Sequence, residues 1–445
     1  MNVDRYLEAY IHREVEFRYK RQDLSFGLSQ ELFSSAAVDA GTRLLLRLVK
    51  EAVEGLASSP GSREPEAPHG SVNGTAPVFS LSGRALLDVG CGAGTLGISL
   101  AKASGAALIA SDRDALAVWF TRRNAERNSL HDVVAECALD VSFAGSGAFS
   151  GVGLDAHAVE LAVSNLPAKA GEPVLRRMIR SLPQAARTGT AAVVIVLPLA
   201  ELLKQEVRAM GGSVLAERRT TQHLAVLYRR TPSQPECGQR EMLGDDRHGL
   251  PAWYVRGRHE FAGPRGRYEM TTVYNIPEFD SLSYDTEIGF RMMKSWHPAG
   301  RLLYWGVGQG HLVVSAARNR SAEAPVFVAD RDLLAVRATT ENLRRSAPET
   351  SGVPLVLPTL APGTQHVAPS SLDWLIVRGS PASRSLWDEE VVDTAETLLA
   401  PGGRALIVTR SSALARLERR LRASFSVEDS SRSRGYRVDV LRRKR

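Results

Sequence analysis

Short apolar runs recur along the chain at wide intervals: ALLDV from Ala85, ALIAS from Ala107, LAVSN from Leu161 and AAVVIV from Ala191. Between them lie segments whose apolar residues return every three to four positions, as in DALAVWFTRRNAERN from Asp114. The short runs read as buried strands, and the helical period reads as helices packed by one face. Strand and helix therefore alternate, the rhythm of an open sheet whose parallel strands are joined by crossover helices. The last two runs of this half, GSVLAERR from Gly212 and HLAVLYRR from His223, leave only a few polar residues between them. No crossover helix fits there, so the pattern predicts an antiparallel hairpin at the sheet edge.

The whole pattern occurs twice. LLDVGCGAGTLG from Leu86 returns as LLYWGVGQGHLV from Leu302, and ASDRDALAV from Ala110 returns as VADRDLLAV from Val328. TRRNAERN matches TTENLRRS, pairing Asn124 with Asn342; upstream, Phe33 and Asp39 match Phe279 and Asp285. Downstream, LAVSNLPAKAG aligns with LIVRGSPASRS, pairing Pro167 with Pro381. Such duplication makes the chain two copies of one α/β domain, each a mostly parallel sheet with an antiparallel edge hairpin. The first copy alone carries a Ser-, Pro- and Gly-rich stretch at about 54–78, which predicts a flexible surface insertion. The expected boundaries are 1–230 for the first domain, 231–267 for a linker of Pro, Gly and mixed charge, and 268–445 for the second.

Composition agrees with two soluble domains: 445 residues, 44% hydrophobic and 24% charged. The N-terminal MNVDRYLEAYIHREVEF mixes charge into every turn, and the most apolar run, AAVVIVLPLA, falls short of the roughly 20 residues a membrane span needs. The expectation is a cytoplasmic protein with no membrane partner. Cys91, Cys137 and Cys237 are scattered and unaccompanied by histidine, which points to neither a disulfide framework nor a metal site. A net charge of +7 suits a polyanion such as RNA, although an arginine-rich surface without such a partner has the same balance.

The turn DVGCGAG joins strand to helix, yet it lacks both the GxGxxG spacing of dinucleotide folds and the lysine of phosphate-binding loops. A carboxylate before its first glycine would repel a phosphate. The layout, a mostly parallel Rossmann-like sheet ending in a hairpin, resembles that of class I methyltransferases, and the turn fits that resemblance. It implies S-adenosyl-L-methionine as cofactor: Gly90, Gly92 and Gly94 let the backbone approach it, Asp88 organises the loop and meets the methionine end, and Asp112 accepts the ribose hydroxyls. Asp140 stands where this class contacts the adenine amine; its plainer reading is a turn-starting aspartate bonded to its own backbone.

FGLSQELFSSAAVDAGTRLLL from Phe26 and SNLPAKAG from Ser164 narrow the resemblance. Both are similar to the methyltransferase small-domain family, which includes the tandem-duplicated bacterial ribosomal RNA guanine-N2 methyltransferases. Amino-directed members carry N-P-P followed by an aromatic: the asparagine oxygen and the first proline's carbonyl hold the target amine, and the ring stacks on the base. Here the motif reads Asn165, Leu166, Pro167, Ala168, so the asparagine and the carbonyl remain and the ring is missing. Stacking is worth about 1 to 3 kcal/mol per base, so either another ring supplies it or the substrate is not a flipped base. Phe26 and Phe33 are the candidates, and both equally suit plain core packing. His131, His157 and His223 are isolated and read as surface or packing residues rather than bases.

The second copy departs further. Tyr304 replaces Asp88, Gln309 replaces Ala93 and, in the ungapped alignment, Gly379 replaces Asn165, while Asp330, Asp332 and the three glycines persist. That reads as a degenerate domain which keeps the fold without the chemistry. In the ribosomal enzymes it resembles, the intact copy is the C-terminal one; here it is the N-terminal one. The expected function is S-adenosylmethionine-dependent methylation of an exocyclic amine of guanine in ribosomal RNA, with arginines after Arg416 serving as phosphate contacts or as a solvated edge. Two alternatives stay open: methylation of a protein or small molecule, which NLPA favours, and a non-catalytic RNA-binding or assembly role.

Overall fold

The computed structural model describes residues 2–33, 35–55, 79–141, 159–230, 249–317, 324–379, 385–421 and 423–444. His157, Cys237, Pro381 and the expected insertion from residue 56 onward lie outside them. The chain forms two units: an N-terminal one, Arg13–Arg113 with Ala117–Arg247, and a C-terminal one, Met1–His12 with Asp114–Leu116 and His248–Arg445.

The first helix, α1 (Val3–Glu8), belongs to the C-terminal unit although sequence alone grouped it with the N-terminal domain. Its Tyr6 and Leu7 are buried, Tyr6 donates a hydrogen bond to Asp393, and Arg5 pairs with Glu389. Nothing local in the sequence of α1 announces partners so distant in the chain.

In the N-terminal unit, β1 (Arg13–Tyr19) and β2 (Gln22–Leu28) form an antiparallel hairpin. Helix α2 (Ala40–Glu54) starts at Asp39, whose carboxylate accepts from the Thr42 N–H at 3.1 Å, and stops at Gly55 in the left-handed region. Then follow β3 (Ala85–Val89), α3 (Thr95–Ser104), β4 (Ala107–Asp112), α4 (Ala115–Arg127), β5 (Val133–Cys137), β6 (Val159–Asn165), α5 (Glu172–Ala185), β7 (Thr190–Val196), α6 (Ala200–Ala209), β8 (Gly212–Arg219) and β9 (His223–Arg230). The seven strands lie in the order β5-β4-β3-β6-β7-β9-β8. All neighbours are parallel except β9, which runs antiparallel to both β7 and β8. Every residue of β3 is buried, as expected of a central strand covered on both faces. The chain leaves β3 toward β4 and β5 and then returns to its other side as β6. The carboxyl ends of β3 and β6 therefore flank the crevice where such sheets bind ligands.

The C-terminal unit repeats this order. A hairpin of β10 (Val255–Gly263) and β11 (Gly266–Val273) precedes α7 (Tyr284–Ser295), β12 (Leu302–Trp305), α8 (His311–Ala317), β13 (Val326–Asp330), α9 (Leu333–Ser346), β14 (Gly352–Val356), β15 (Leu372–Arg378), α10 (Trp387–Leu398), β16 (Leu399–Arg410), α11 (Ser411–Leu421), β17 (Phe425–Ser433) and β18 (Tyr436–Arg443). Its sheet order is β14-β13-β12-β15-β16-β18-β17, with the same antiparallel strand inserted beside the edge. Leu375, Val377 and Ile407 of the sheet pack against Val391 and Leu398 of α10 and Leu414 and Leu417 of α11. Strand β10 lies within the stretch read as a linker: most of its residues face solvent, so it lacks the apolar run that marks the central strands.

Among the described residues no helix is long and apolar enough to cross a membrane, and no three His, Cys, Asp or Glu side chains group as metal ligands do.

Candidate functional site

Between β3 and α3 the chain turns through Gly90, Cys91, Gly92, Ala93 and Gly94. Gly90 (φ 75°) and Gly92 (φ 56°) take left-handed backbone, and a Cβ on either would project into open space. The turn thus offers bare backbone to the crevice. Asp88 is buried; its Oδ2 accepts from the Gly97 N–H at 2.9 Å, and its Oδ1 is buried without a hydrogen-bond partner. A Cβ at Gly97 would lie 2.7 Å from Asp88 Oδ2, so only glycine allows α3 to settle there. Asp112, ending β4, accepts from the Gly92 N–H at 3.0 Å. Burial pushes the Asp88 carboxyl up to about 7; the Gly97 N–H opposes the rise and the charge of Asp112 adds to it. Bare glycine backbone, an unsatisfied carboxylate oxygen and a second carboxylate beside it fit a cationic ligand, whose charge would favour ionised Asp88. The same fit excludes a phosphate.

Two buried side chains stiffen this turn. Thr121 Oγ1 donates to Gly92 O at 3.1 Å, and Asn124 Nδ2 donates to Ala93 O at 2.8 Å and to Gly27 O at 3.0 Å. The Gly27 N–H donates back to Asn124 Oδ1 at 2.8 Å, tying β2 to the turn. Cys91 is buried and burial raises its thiol well above the ordinary value, which rules it out as a nucleophile. Asp140, after β5, is buried and lies 3.4 Å from Arg177 Nη2 of α5.

Asn165 ends β6. Its Nδ2 donates to both oxygens of Asp39 at 3.3 Å and to Thr42 Oγ1 at 3.3 Å, so the amide nitrogen faces the start of α2 and Oδ1 lies on the opposite side of the group. Leu166 is buried, and its N–H donates to Val194 O at 2.9 Å. Pro167 and Ala168 are exposed, and Pro167 O accepts from the Ala170 N–H at 2.9 Å to close the turn. Asp112, Asp88 and Asn165 thereby stand at the carboxyl ends of three neighbouring strands, β4, β3 and β6. His223, isolated in sequence, lies beside α2: a Cβ on Gly41 would come 3.3 Å from its ring and 3.0 Å from Asp39 Oδ1.

Of the two rings considered for stacking, Phe26 is fully buried and belongs to the core with Leu24 and Leu28, the inward alternation of β2. It cannot meet a substrate. Phe33 is 71% exposed. Sequence reasoning missed Asn124, Gly97 and Asp39 as site residues; Asn124 and Asp39 were visible only as positions shared by the two copies.

The C-terminal unit keeps the turn and fills the crevice. Gly306 (φ 75°) and Gly308 (φ 55°) repeat the backbone, and Asp330 accepts from the Gly308 N–H at 3.3 Å. Asn342 repeats Asn124 through paired bonds of 2.8 Å to Thr271. Tyr304, in place of Asp88, is buried. Sheet register corrects the ungapped alignment by one residue: Asn165 pairs with Val194 and Arg378 pairs with Val408, so Arg378, not Gly379, stands at the position of Asn165. A Cβ on Gly306 would lie 2.0 Å from Arg378 O, and one on Gly308 would lie 3.2 Å from its Nη1. The guanidinium donates to Asp285 at 2.9 Å and to Glu278 at 2.6 Å. Burial works to raise these two carboxyls, but the charge of Arg378 and the Ser283 hydroxyl together hold both below their ordinary values. Phe279, the counterpart of Phe33, is covered by Arg256, whose guanidinium carbon lies 3.7 Å from the ring centroid.

This strand order, with an acidic glycine turn after the central strand and a second carboxylate on the next, is the layout of class I methyltransferases, enzymes that draw their methyl group from S-adenosyl-L-methionine. More narrowly, residues 76–211 match the family model of the methyltransferase small domain, so the N-terminal unit carries that domain. No curated protein matches the chain by sequence. Among solved structures, the T. thermophilus 16S rRNA N2 G1207 methyltransferase RsmC, in complex with AdoMet and guanosine, shares the fold at 17% identity and a TM-score of 0.60, covering 99% of this chain and 100% of that one. The ribosomal protein L11 methylase of Lactobacillus delbrueckii subsp. bulgaricus matches at 16% identity and a TM-score of 0.29, covering 36% of this chain and 79% of that one.

Proposed function

We propose that this methyltransferase acts on an exocyclic amine of guanine in ribosomal RNA, with the N-terminal unit as the catalytic domain and the C-terminal unit as a copy without chemistry. The observation that carries the reading is the orientation of Asn165. Its nitrogen is engaged by Asp39 and Thr42, which leaves Oδ1 as the acceptor for a substrate N–H. A neutral amide acceptor suits an amine nucleophile, which must keep its lone pair while one hydrogen is held.

When bound, S-adenosylmethionine supplies a methyl group already activated by its sulfonium charge. The protein's work is placement. Gly90 and Gly92 would admit the ligand against the backbone, whereas Gly94, expected beside them, packs inward on Ile98 and Thr121; Asp88 and Asp112 would answer its cationic and ribose ends, and Asp140, paired with Arg177, would meet the adenine. Asn165 Oδ1 and the Leu166 carbonyl hold the amine, and the Pro167 turn fixes their spacing; holding the nucleophile about 3 to 3.5 Å from its target supplies most of the acceleration such a transfer requires. Phe33 offers the flat face that Ala168 lacks. Its counterpart Phe279 already carries a planar guanidinium, which supports a planar group on Phe33 as well.

Ribosomal RNA as the substrate is supported by the net charge of +7 and by the activity of RsmC, whose fold covers both units. Ala168 in the motif favours the second reading, a protein or small-molecule acceptor. Incubating the protein with methyl-labelled cofactor and, in parallel, naked 16S RNA, small ribosomal subunits, ribosomal proteins and a metabolite extract separates them. Label in RNA is the expected result; label confined to protein or small molecules moves the function to the second reading, and failure to bind cofactor leaves an assembly role.

A further inference from the structure

An asparagine side chain has two ends of nearly equal shape, one donating and one accepting. If Asn165 turned by half a rotation, it would present NH₂ to the NH₂ of its substrate. Something must tell the two ends apart, and we propose that Asp39 does so, as the positioning residue for Asn165. This rests on the reading that Asn165 holds the target amine.

Three groups face the Asn165 nitrogen, and all three accept. The two Asp39 oxygens can only accept, and both lie 3.3 Å from Nδ2. The Thr42 hydroxyl gives its proton to Asp39, so toward Asn165, at 3.3 Å, it presents a lone pair. A turned amide would aim its oxygen at three acceptors and find no donor, an arrangement that costs a part-buried hydrogen bond and adds repulsion. Asp39 is itself immobilised, because it caps α2 through the Thr42 N–H at 3.1 Å. The other copy shows the same preference with different chemistry. Asp285, the counterpart of Asp39, receives Arg378 Nε at 2.9 Å from the strand-end position that Asn165 occupies in the N-terminal unit. In both copies the carboxylate selects a donor. Arginine is all donor and has nothing to offer an amine, whereas asparagine keeps an acceptor on its other side.

The test separates this role from helix capping. Serine caps as well as aspartate but is too short to reach Asn165, so Asp39→Ser should leave thermal stability and cofactor affinity near wild type. In that variant, exchange of the Asn165 side-chain amide protons, assigned by NMR through their loss in Asn165→Ala, should quicken on the order of tenfold or more. The single-turnover methyl-transfer rate should fall on the order of tenfold or more with RNA affinity unchanged. Asp39→Asn, which keeps the cap and one acceptor, should show a smaller loss of both, and it serves as the probe should the serine variant fail to fold. Combining Asp39→Ser with Asn165→Ala should be no slower than Asn165→Ala alone, since both remove one interaction. Amide exchange within twofold of wild type overturns the proposal, and so does faster exchange with an unchanged transfer rate. If the wild-type protein transfers no methyl to RNA, the proposed function fails, while the exchange measurement still decides whether Asp39 fixes the amide.

Discussion

Asp88 shows how far a single residue can be read before its surroundings are known. Its place before the first glycine makes it an expected ligand residue, but the state of its carboxyl depends on burial, on Gly97 and on Asp112, none of which local pattern reveals. With a folded value of about 7 against an ordinary 3.8, the folded protein holds a proton on Asp88 that the unfolded chain has lost. Its contribution to stability is therefore complete at low pH and declines as pH rises through that interval. A cationic ligand reverses the preference by favouring the ionised form. Affinity for S-adenosylmethionine should thus weaken as pH falls through about 7, and the thermal shift it produces should be larger at pH 8 than at pH 6. Calorimetry of Asp88→Asn should lose that pH dependence; a dependence unchanged in the variant would assign it to another group. Phe26 and Phe33 make the complementary point. In sequence they are equivalent candidates, and only burial, complete for one and slight for the other, separates them.

At the scale of elements, the alternation of apolar runs and helical periods was enough to foresee both sheets and their edge hairpins. It could not fix register. The one-residue offset between β6 and β15 shows only in how their ends pair with β7 and β16, and it moves Arg378 from an incidental position to the place of Asn165. Nor could pattern show that α1 packs in the C-terminal unit, since a short helix carries too few contacts to name its partner. Arg378 yields a prediction at this scale. It is a buried cation holding Glu278 and Asp285, and removing one member of such a group leaves uncompensated charge at a cost of about 3 to 5 kcal/mol. Arg378→Ala should lower the stability of the C-terminal unit by that order in denaturant unfolding followed by tryptophan fluorescence. Cofactor affinity should not move. A change below about 1 kcal/mol would mean that the ion pairs are solvated.

For the molecule as a whole, duplication was the most legible feature, because matched glycines, aspartates and asparagines survive even where the counterparts of Asp88 and Asn165 have been replaced. What became of the second copy was not legible: the sequence reports that Tyr304 replaced an acid, but not that Arg378 entered the crevice. With that crevice filled, calorimetry should find about one S-adenosylmethionine per chain; two equivalent sites would contradict a copy occupied by its own arginine. The arginines near the C-terminus also divide once folded. Arg437 is buried with Asp439 and Glu418, and Arg442 pairs with Glu428, whereas Arg432 and Arg434 are exposed. Neutralising each of these last two should lower the salt slope of RNA binding by about 0.7 to 0.9 if it meets a phosphate, and Arg437→Ala should act through stability instead. The central claim, that Asn165 directs methyl transfer onto a guanine amine of ribosomal RNA, is tested most directly by mass spectrometry of ribosomal RNA nucleosides from cells carrying the wild-type protein, Asn165→Ala or neither. The account predicts N2-methylguanosine at one site with the wild-type protein and its loss, on the order of a hundredfold in rate, with Asn165→Ala although cofactor still binds. Identical nucleoside profiles in all three would contradict it.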